Sequence, residues 1–441
     1  MLSSRHGFPG KGNSRHPRHA GFGTPRYAVH AVCLAALILL VSTQIGRASS
    51  NPPEPTETLI AKRLMLMKDV ASWKWAHDRP IEDLQREKTV ISSAVDEGLR
   101  YGFRVEATEQ LFAAQIRAAK AIQHHWFSRW LEGQKAPDPV DLNTVLRPRL
   151  LALGSDIISS LAHRPRVTVG VELTAPFDVE GLPVDIQSEL MSALGNMRRY
   201  SERLEQVIDS GRLRVGMTGD YAPFTLKDDR DHWQGIDVDL AQDLAQFLGA
   251  DLEIVQTTWP RLMADLKAAH FDIAMGGITV TPERTALAAF TMPVLSGGKT
   301  AIARCSEAKN FARLEQIDLP GNRVIVNPGG TNEAFVRGHI HKAQILVYPD
   351  NRKIFEELAE GRADVMITDR IEVRLQTHIH PQLCATMENT LTRHEKAFLL
   401  PPDQAPWKAR VDQWLQGAIE SGDVARIFEN HGFPDTGSIA H

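Results

Sequence analysis

Three cations in the first half of this sequence are spaced as if to meet. Arg63 and Lys74 stand eleven residues apart in a stretch whose apolar residues recur at helical spacing. That is about three turns, so on a continuous helix the two share a face. Arg86 follows twelve residues later, beyond the break Asp78-Arg-Pro80, and Gln123 closes the run Gln115-Ile-Arg-Ala-Ala-Lys-Ala-Ile-Gln123 on another helix. Cations converging in a helical bundle repel one another unless an anion joins them, so convergence would make a pocket for a small dicarboxylate. The alternative is a set of solvated faces whose aliphatic stems lie over the core.

The elements that must position these groups change character near residue 210. Before it, apolar periodicity predicts helices over about 57–75, 80–101, 106–130, 142–162 and 184–210, with a polar, Pro-containing break at 133–141. After it, short β-branched runs alternate with amphipathic helices: Leu213-Arg-Val-Gly-Met217, Leu252-Glu-Ile-Val255, Phe271-Asp-Ile-Ala274, then Val324-Ile-Val326 and Asp364-Val-Met-Ile367. This βαβ rhythm predicts open sheets flanked by helices. The fold class is therefore multidomain, an all-α bundle followed by an α/β part.

A chain of 441 residues, 43% hydrophobic and 24% charged, has room for two or three cored domains. A net charge of -4 gives no reason to expect nucleic acid as a partner. Residues 1–50 read as an export signal: a basic leader, the apolar run Ala31–Val41, and small residues at Gly46-Arg47-Ala48. The run is short for a membrane span, so no stable span is expected after cleavage; the alternative is an uncleaved anchor. Removal of Cys33 with the signal leaves Cys305 and Cys384, an even pair in an oxidising compartment, for which a disulfide is expected. No Cys/His spacing suggests zinc.

Ala61-Lys-Arg-Leu64, Ala71-Ser-Trp-Lys-Trp75, Pro80-Ile-Glu-Asp83, Arg86-Glu87 and Gln115-Ile-Arg-Ala118 together resemble the secreted all-helical chorismate mutases, over about residues 55–208. The resemblance implies Arg63 and Arg86 as partners for the carboxylates of chorismate, Lys74 and Gln123 as donors to the ether oxygen, and Glu87 as partner of the ring hydroxyl. A further arginine is implied by the next helix, where Arg147 and Arg149 both stand in Leu146-Arg-Pro-Arg-Leu150; Arg147 is favoured. Ala119 falls where relatives often carry a hydroxyl.

From about 211 to 434, Thr281-Pro-Glu-Arg284, Phe290-Thr-Met-Pro293 and Asn327-Pro-Gly-Gly-Thr-Asn332 resemble periplasmic solute-binding proteins of the polar amino acid type. That fold implies two lobes, about 211–299 plus 397–434 and about 300–396, within a domain at 209–441, following a helical domain at 51–208. Thr218-Gly-Asp-Tyr-Ala-Pro-Phe224, Thr258-Trp-Pro260, Gly298-Lys-Thr300 and Thr368-Asp-Arg-Ile-Glu372 resemble, more specifically, cyclohexadienyl dehydratases, whose pattern Cys305 and Cys384 also fit. The implied substrates are prephenate and arogenate. The implied general acid is Glu372, with Glu333 as runner-up. Lys299 and Asn327 would orient the leaving hydroxyl or the carboxylates, Tyr221 and Trp259 would line the ring pocket, and Thr279, Arg284 and Thr331 would bind carboxylate. In amino-acid binders an aspartate near Asp369 contacts the ligand ammonium; alternatively it orients its neighbours. Neither step calls for a metal or organic cofactor. The resemblances imply a bifunctional periplasmic enzyme of phenylalanine biosynthesis. The alternatives are a mutase fused to a solute receptor, or a sensor whose helical half serves as a homodimer surface.

Overall fold

The computed structural model describes residues 54–164 and 177–434; the export signal expected at residues 1–50 lies outside the described residues. The helical half opens with α1 (Thr56–Met65) and α2 (Met67–Ala76), separated only at Leu66. Next come α3 (Leu84–Arg100) and α4 (Val105–Leu131). The spacing predicts a start for α3 at Pro80, but it begins at Leu84, because the Asp83 carboxylate caps it by accepting the Arg86 N–H at 3.0 Å. A π-helical turn at Leu142–Leu146 leads into α5 (Arg147–His163), whose Pro148 sits in the first turn, where a missing N–H costs little.

The helix expected over 184–210 is split into α6 (Val184–Gly195) and α7 (Arg203–Ser210). The intervening residues satisfy their backbone elsewhere: Arg104 donates its N–H to the Arg198 carbonyl at 2.9 Å, and Tyr200 donates to that of Gly102 at 2.8 Å. Tertiary pairing thus overrides helical periodicity. The longest helix among the described residues, α4, runs through the core. Its Leu111, Ala114, Ala118 and Ile122 recur every three or four residues and are at most 1% exposed.

The first α/β lobe is a five-stranded sheet of order β5-β1-β6-β15-β7: β1 Arg212–Met217, β5 Asp251–Gln256, β6 Ile273–Ala274, β7 Ala289–Phe290 and β15 Leu399–Leu400. A small meander, β2 (Asp220–Tyr221), β3 (Thr225–Lys227) and β4 (Trp233–Gln234), sits beside it, and α8 (Ile236–Leu248) follows. The second lobe is a sheet of order β11-β10-β12-β9-β13: β9 Lys299–Arg304, β10 Arg323–Val326, β11 Gln344–Val347, β12 Val365–Asp369 and β13 Leu383–Ala385. Central β12 is buried at every position, which its run Val365-Met-Ile-Thr-Asp369 tolerates because the polar Thr368 and Asp369 at its end find partners. Lys299 opens β9 and so belongs to the sheet of the second lobe. The chain passes between lobes beside an antiparallel pair, β8 (Leu295–Gly297) and β14 (His394–Lys396). Cys305 and Cys384 form a disulfide, with Cα atoms 4.8 Å apart, tying the end of β9 to β13. No described helix is long and apolar enough to cross a membrane.

Helix α7 fastens the helical half to the first lobe. Gln206 donates to the Leu99 carbonyl at 2.8 Å, and Arg212 pairs with Asp96 of α3 at 2.6 Å. Beneath it, the buried Asp272 carboxylate takes Arg203 at 2.8 Å and Arg214 at 2.6 Å, while the Asp272 carbonyl accepts the Trp407 indole N–H at 3.0 Å. Burial alone would raise the Asp272 pKa, but the two guanidiniums outweigh it and hold the carboxyl below its usual range. Asp272→Ala leaves both arginines without this partner. It should destabilise the fold by about 3–5 kcal/mol, read from the urea unfolding midpoint; a loss below about 1 kcal/mol would show that the arginines find other partners.

Candidate functional sites

The bundle encloses a cavity of about 370 Å³, bordered by Arg63, Lys74, Arg86, Glu87, Gln123 and Arg147. The structure therefore brings together the six residues singled out by spacing and resemblance, although the break at Leu66 interrupts the single helix expected for Arg63 and Lys74. Arg149 does not border the cavity, and Ala119 does, without a hydroxyl. Arg63 is 7% exposed. Its Nη1 donates to Gln115 Oε1 at 3.2 Å, while its Nε is buried with no partner. Burial lowers its pKa to about 10, so it stays charged at neutral pH. Burial also lowers the Lys74 pKa, against the pull of Asp83 and Glu87, and its Nζ donates to the Ile81 carbonyl at 2.6 Å. Gln123 Nε2 donates to the Ala119 carbonyl at 3.0 Å, leaving Oε1 buried and unpartnered. Lys120 also borders the cavity, pairing with Glu87 at 3.3 Å and Glu82 at 3.2 Å. Its signal lay in the same run as Gln123, one residue past Ala119. Each of the helices α1 to α5 brings one cation to this cavity, Arg63, Lys74, Arg86, Lys120 and Arg147, an arrangement that suits a dicarboxylate.

The second site lies where the two lobes meet. Asp369 ends β12, 4% exposed, and is reached from both lobes and from the hinge. Its Oδ2 accepts the Tyr221 hydroxyl and Lys396 Nζ, the latter at 2.8 Å. Its Oδ1 faces Lys299 Nζ at 3.4 Å and His394 Nε2 at 3.1 Å, the histidine off the line of a hydrogen bond. Burial opposes ionisation of Asp369, but Lys396 and Lys299 outweigh it and hold the pKa well below the usual value. Lys396 is also fixed by the Gly277 carbonyl at 2.7 Å and Thr279 Oγ1 at 3.2 Å.

Behind Asp369 runs a relay. Lys299 donates to Thr331 Oγ1 at 3.1 Å and to Asn332 Oδ1; Asn332 Nδ2 donates to Thr368 Oγ1 at 3.0 Å; Thr368 donates to Glu372. Glu372 stands in the first turn of the helix that follows β12, is 2% exposed, and has its pKa raised to about 8, chiefly by burial and further by Asp369. It is a carboxyl kept protonated at neutral pH. Glu333 is different: it accepts the Gly329 N–H at 2.6 Å and pairs with Arg337, which lowers its pKa. Arg284 donates to the Thr279 carbonyl at 2.8 Å, and Trp259 packs edge-on to Tyr221 and donates to Asp220 at 3.1 Å.

The space left between the lobes is about 20 Å³, bordered by Tyr221, Trp259, Thr279, Arg284, Asn327, Thr331 and Asp369. That is room for about one water, so the lobes are closed. Tyr221 to Asp369, and Asn351 to the Asp220 carbonyl at 2.8 Å, bridge them. Lys299 and Glu372 do not border this space; Lys299 stands one hydrogen bond behind it, through Thr331, and Glu372 two, through Thr368 and Asn332. Sequence reasoning missed Lys396, His394, Asn332 and Thr368. The last two lie inside motifs already singled out.

Residues 213–434, half of the chain, match the family model for bacterial extracellular solute-binding proteins, family 3, and residues 57–124 match that for chorismate mutase type II. A cyclohexadienyl dehydratase from Pseudomonas aeruginosa is 50% identical over 239 residues, covering 54% of this chain and 89% of the relative. Among solved structures, the ancestral amino acid-binding protein AncCDT-1, a precursor of cyclohexadienyl dehydratase, is similar at 30% identity and a TM-score of 0.49, covering 52% of this chain and 98% of that one. An ancestral cyclohexadienyl dehydratase is similar at 45% identity and a TM-score of 0.34, covering 53% and 97%. The chain thus carries a chorismate mutase type II segment ahead of a two-lobed domain, and through that domain it belongs to the bacterial extracellular solute-binding proteins of family 3 and, within them, to the cyclohexadienyl dehydratases.

Proposed function

We propose that this protein is a bifunctional, exported enzyme that rearranges chorismate to prephenate in its helical half and converts prephenate to phenylpyruvate in its two-lobed half. Arogenate would give phenylalanine by the same second reaction. The observation that carries the reading is Glu372, a buried carboxyl held protonated at neutral pH and linked to the inter-lobe cleft by two hydrogen bonds, through Thr368 and Asn332. A receptor that only holds its ligand has no need of such an acid. Location in the periplasm is supported by the Cys305–Cys384 disulfide. The domains divide at about 51–208 and 209–441.

The first step is unimolecular and needs neither a nucleophile nor a proton transfer. Arg63, Arg86 and Arg147 would hold the two carboxylates, and so the compact conformer. Lys74 would stabilise charge growing on the breaking ether oxygen, joined by Gln123 once its amide releases the Ala119 carbonyl. Glu87, held by Lys120, would take the ring hydroxyl. In the second step Arg284, Thr279, Thr331 and Asn327 would bind carboxylate while Tyr221 and Trp259 flank the ring. Glu372 protonates the leaving hydroxyl and the C–O bond breaks. The ring carboxylate departs as carbon dioxide, and its bonding pair completes the aromatic ring. Prephenate dianion and one proton thus give phenylpyruvate, carbon dioxide and water.

Purified protein given chorismate should release phenylpyruvate, and Glu372→Gln should stop at prephenate. Prephenate accumulating with the wild type would reject the dehydratase and favour the receptor. Lys74→Ala and Arg86→Ala should each lower mutase turnover about 10²–10³-fold, the size of one lost transition-state contact, with circular dichroism unchanged. Since the acid must be protonated to act, the dehydratase rate should be level below a pH of about 8 and fall tenfold per unit above it. A rate that instead rises through that range would assign Glu372 a basic role.

A further inference from the structure

Lys74 is the ammonium assigned above to the breaking ether oxygen, a mutase reading on which this inference rests. An ammonium is a donor only, and one of its protons is already spent on the Ile81 carbonyl at 2.6 Å. The rest, and the charge, must stay available to the substrate. Two carboxylates pull on Lys74, those of Asp83 and Glu87, and both border the cavity. Asp83 is committed as the cap of α3, where it accepts the Arg86 N–H at 3.0 Å. Glu87 has no such duty to the backbone, so it is the group that could turn onto Lys74 and neutralise it.

Lys120 prevents this from α4. Its Nζ meets Glu87 at 3.3 Å and Glu82 at 3.2 Å. Glu87 stands in the first turn of α3, and Glu82 is the neighbour of Ile81 in the segment between α2 and α3. One ammonium thus holds the carboxylate that competes for Lys74 and also the segment whose carbonyl seats Lys74. Burial lowers the Lys120 pKa, but the bonds to Glu82 and Glu87 outweigh it and raise the value, so the group stays charged. Lys120 and Lys74 repel each other, so any support that Lys120 gives must pass through the carboxylates.

We propose that Lys120 is a positioning residue for Lys74: by holding Glu87 and Glu82 it keeps the Lys74 ammonium unpaired and in place for the ether oxygen.

The test is steady-state turnover of chorismate by the full chain. Lys120→Met should lower kcat about tenfold and change KM less than about twofold, because the displaced group acts in the transition state. Lys120→Arg can span both carboxylates and should recover most of the rate. In a Glu82→Gln/Glu87→Gln background no carboxylate is left to hold, so Lys120→Met should there cost less than about twofold. A loss carried by KM, or one of the same size in that background, would make Lys120 a substrate contact and overturn the proposal. A Lys120→Met enzyme equal to the wild type would overturn it too. Circular dichroism checks the fold; should Lys120→Met not fold, Lys120→Gln reads the same constants. A wild type that leaves chorismate unchanged would instead overturn the mutase reading itself, and the inference with it.

Discussion

One buried carboxylate organises the two-lobed half. Asp369 is out of water, and an isolated charge there would be strongly disfavoured. It stays ionised because a tyrosine from the first lobe, a lysine from the second and a lysine from the hinge strand all point at it. The same contacts bring the lobes together, so the electrostatic cost of the site and the geometry of closure are settled by one group. Glu372 lies three residues further on, and it is protonated in part because Asp369 is not. Two carboxyls in one turn are held in opposite states, as an acid beside a fixed charge must be.

The helical half works by the reverse arrangement. Its cavity gathers more cations than the carboxylates around it can pair, and its polar atoms include a guanidinium nitrogen and an amide oxygen with no partner. It is a site with bonds left to make, whereas the charged groups of the closed cleft are paired with one another and its free buried atoms are the amide oxygens of Asn327 and Asn351. Between them, α7 is packed and hydrogen-bonded on both sides, with the Arg203–Asp272–Arg214 cluster beneath it. The joint near residue 210 is therefore part of the folded structure and not a loose tether.

Much of this was legible in the chain. The eleven-residue spacing of Arg63 and Lys74 survives a broken helix, because a one-residue interruption at Leu66 shifts the face too little to part them, while Arg86 reaches the same cavity from α3, beyond the loop. The motif Thr368-Asp-Arg-Ile-Glu372 was singled out by resemblance, and the structure sets Glu372 on the first helical turn after β12. Lys396 was not legible. It sits in His394-Glu-Lys396, a short hinge strand without distinctive pattern, and meets Asp369 only because two sheets close on each other. The split between α6 and α7 escaped for a related reason: apolar periodicity continues through 196–202, but those residues pair with 102–104, a partner no local window contains.

The closed cleft has a consequence for the chemical cycle. On the proposed reaction each turnover consumes a proton, and Glu372 is the group that gives it up. That carboxyl is 2% exposed, with room for about one water between the lobes. Re-arming the acid must therefore wait for the same parting of the lobes that lets phenylpyruvate leave. Opening is then a recharging step as well as an exit, and a lobe pair that released product through a small gap, without wetting Glu372, would stall after one cycle.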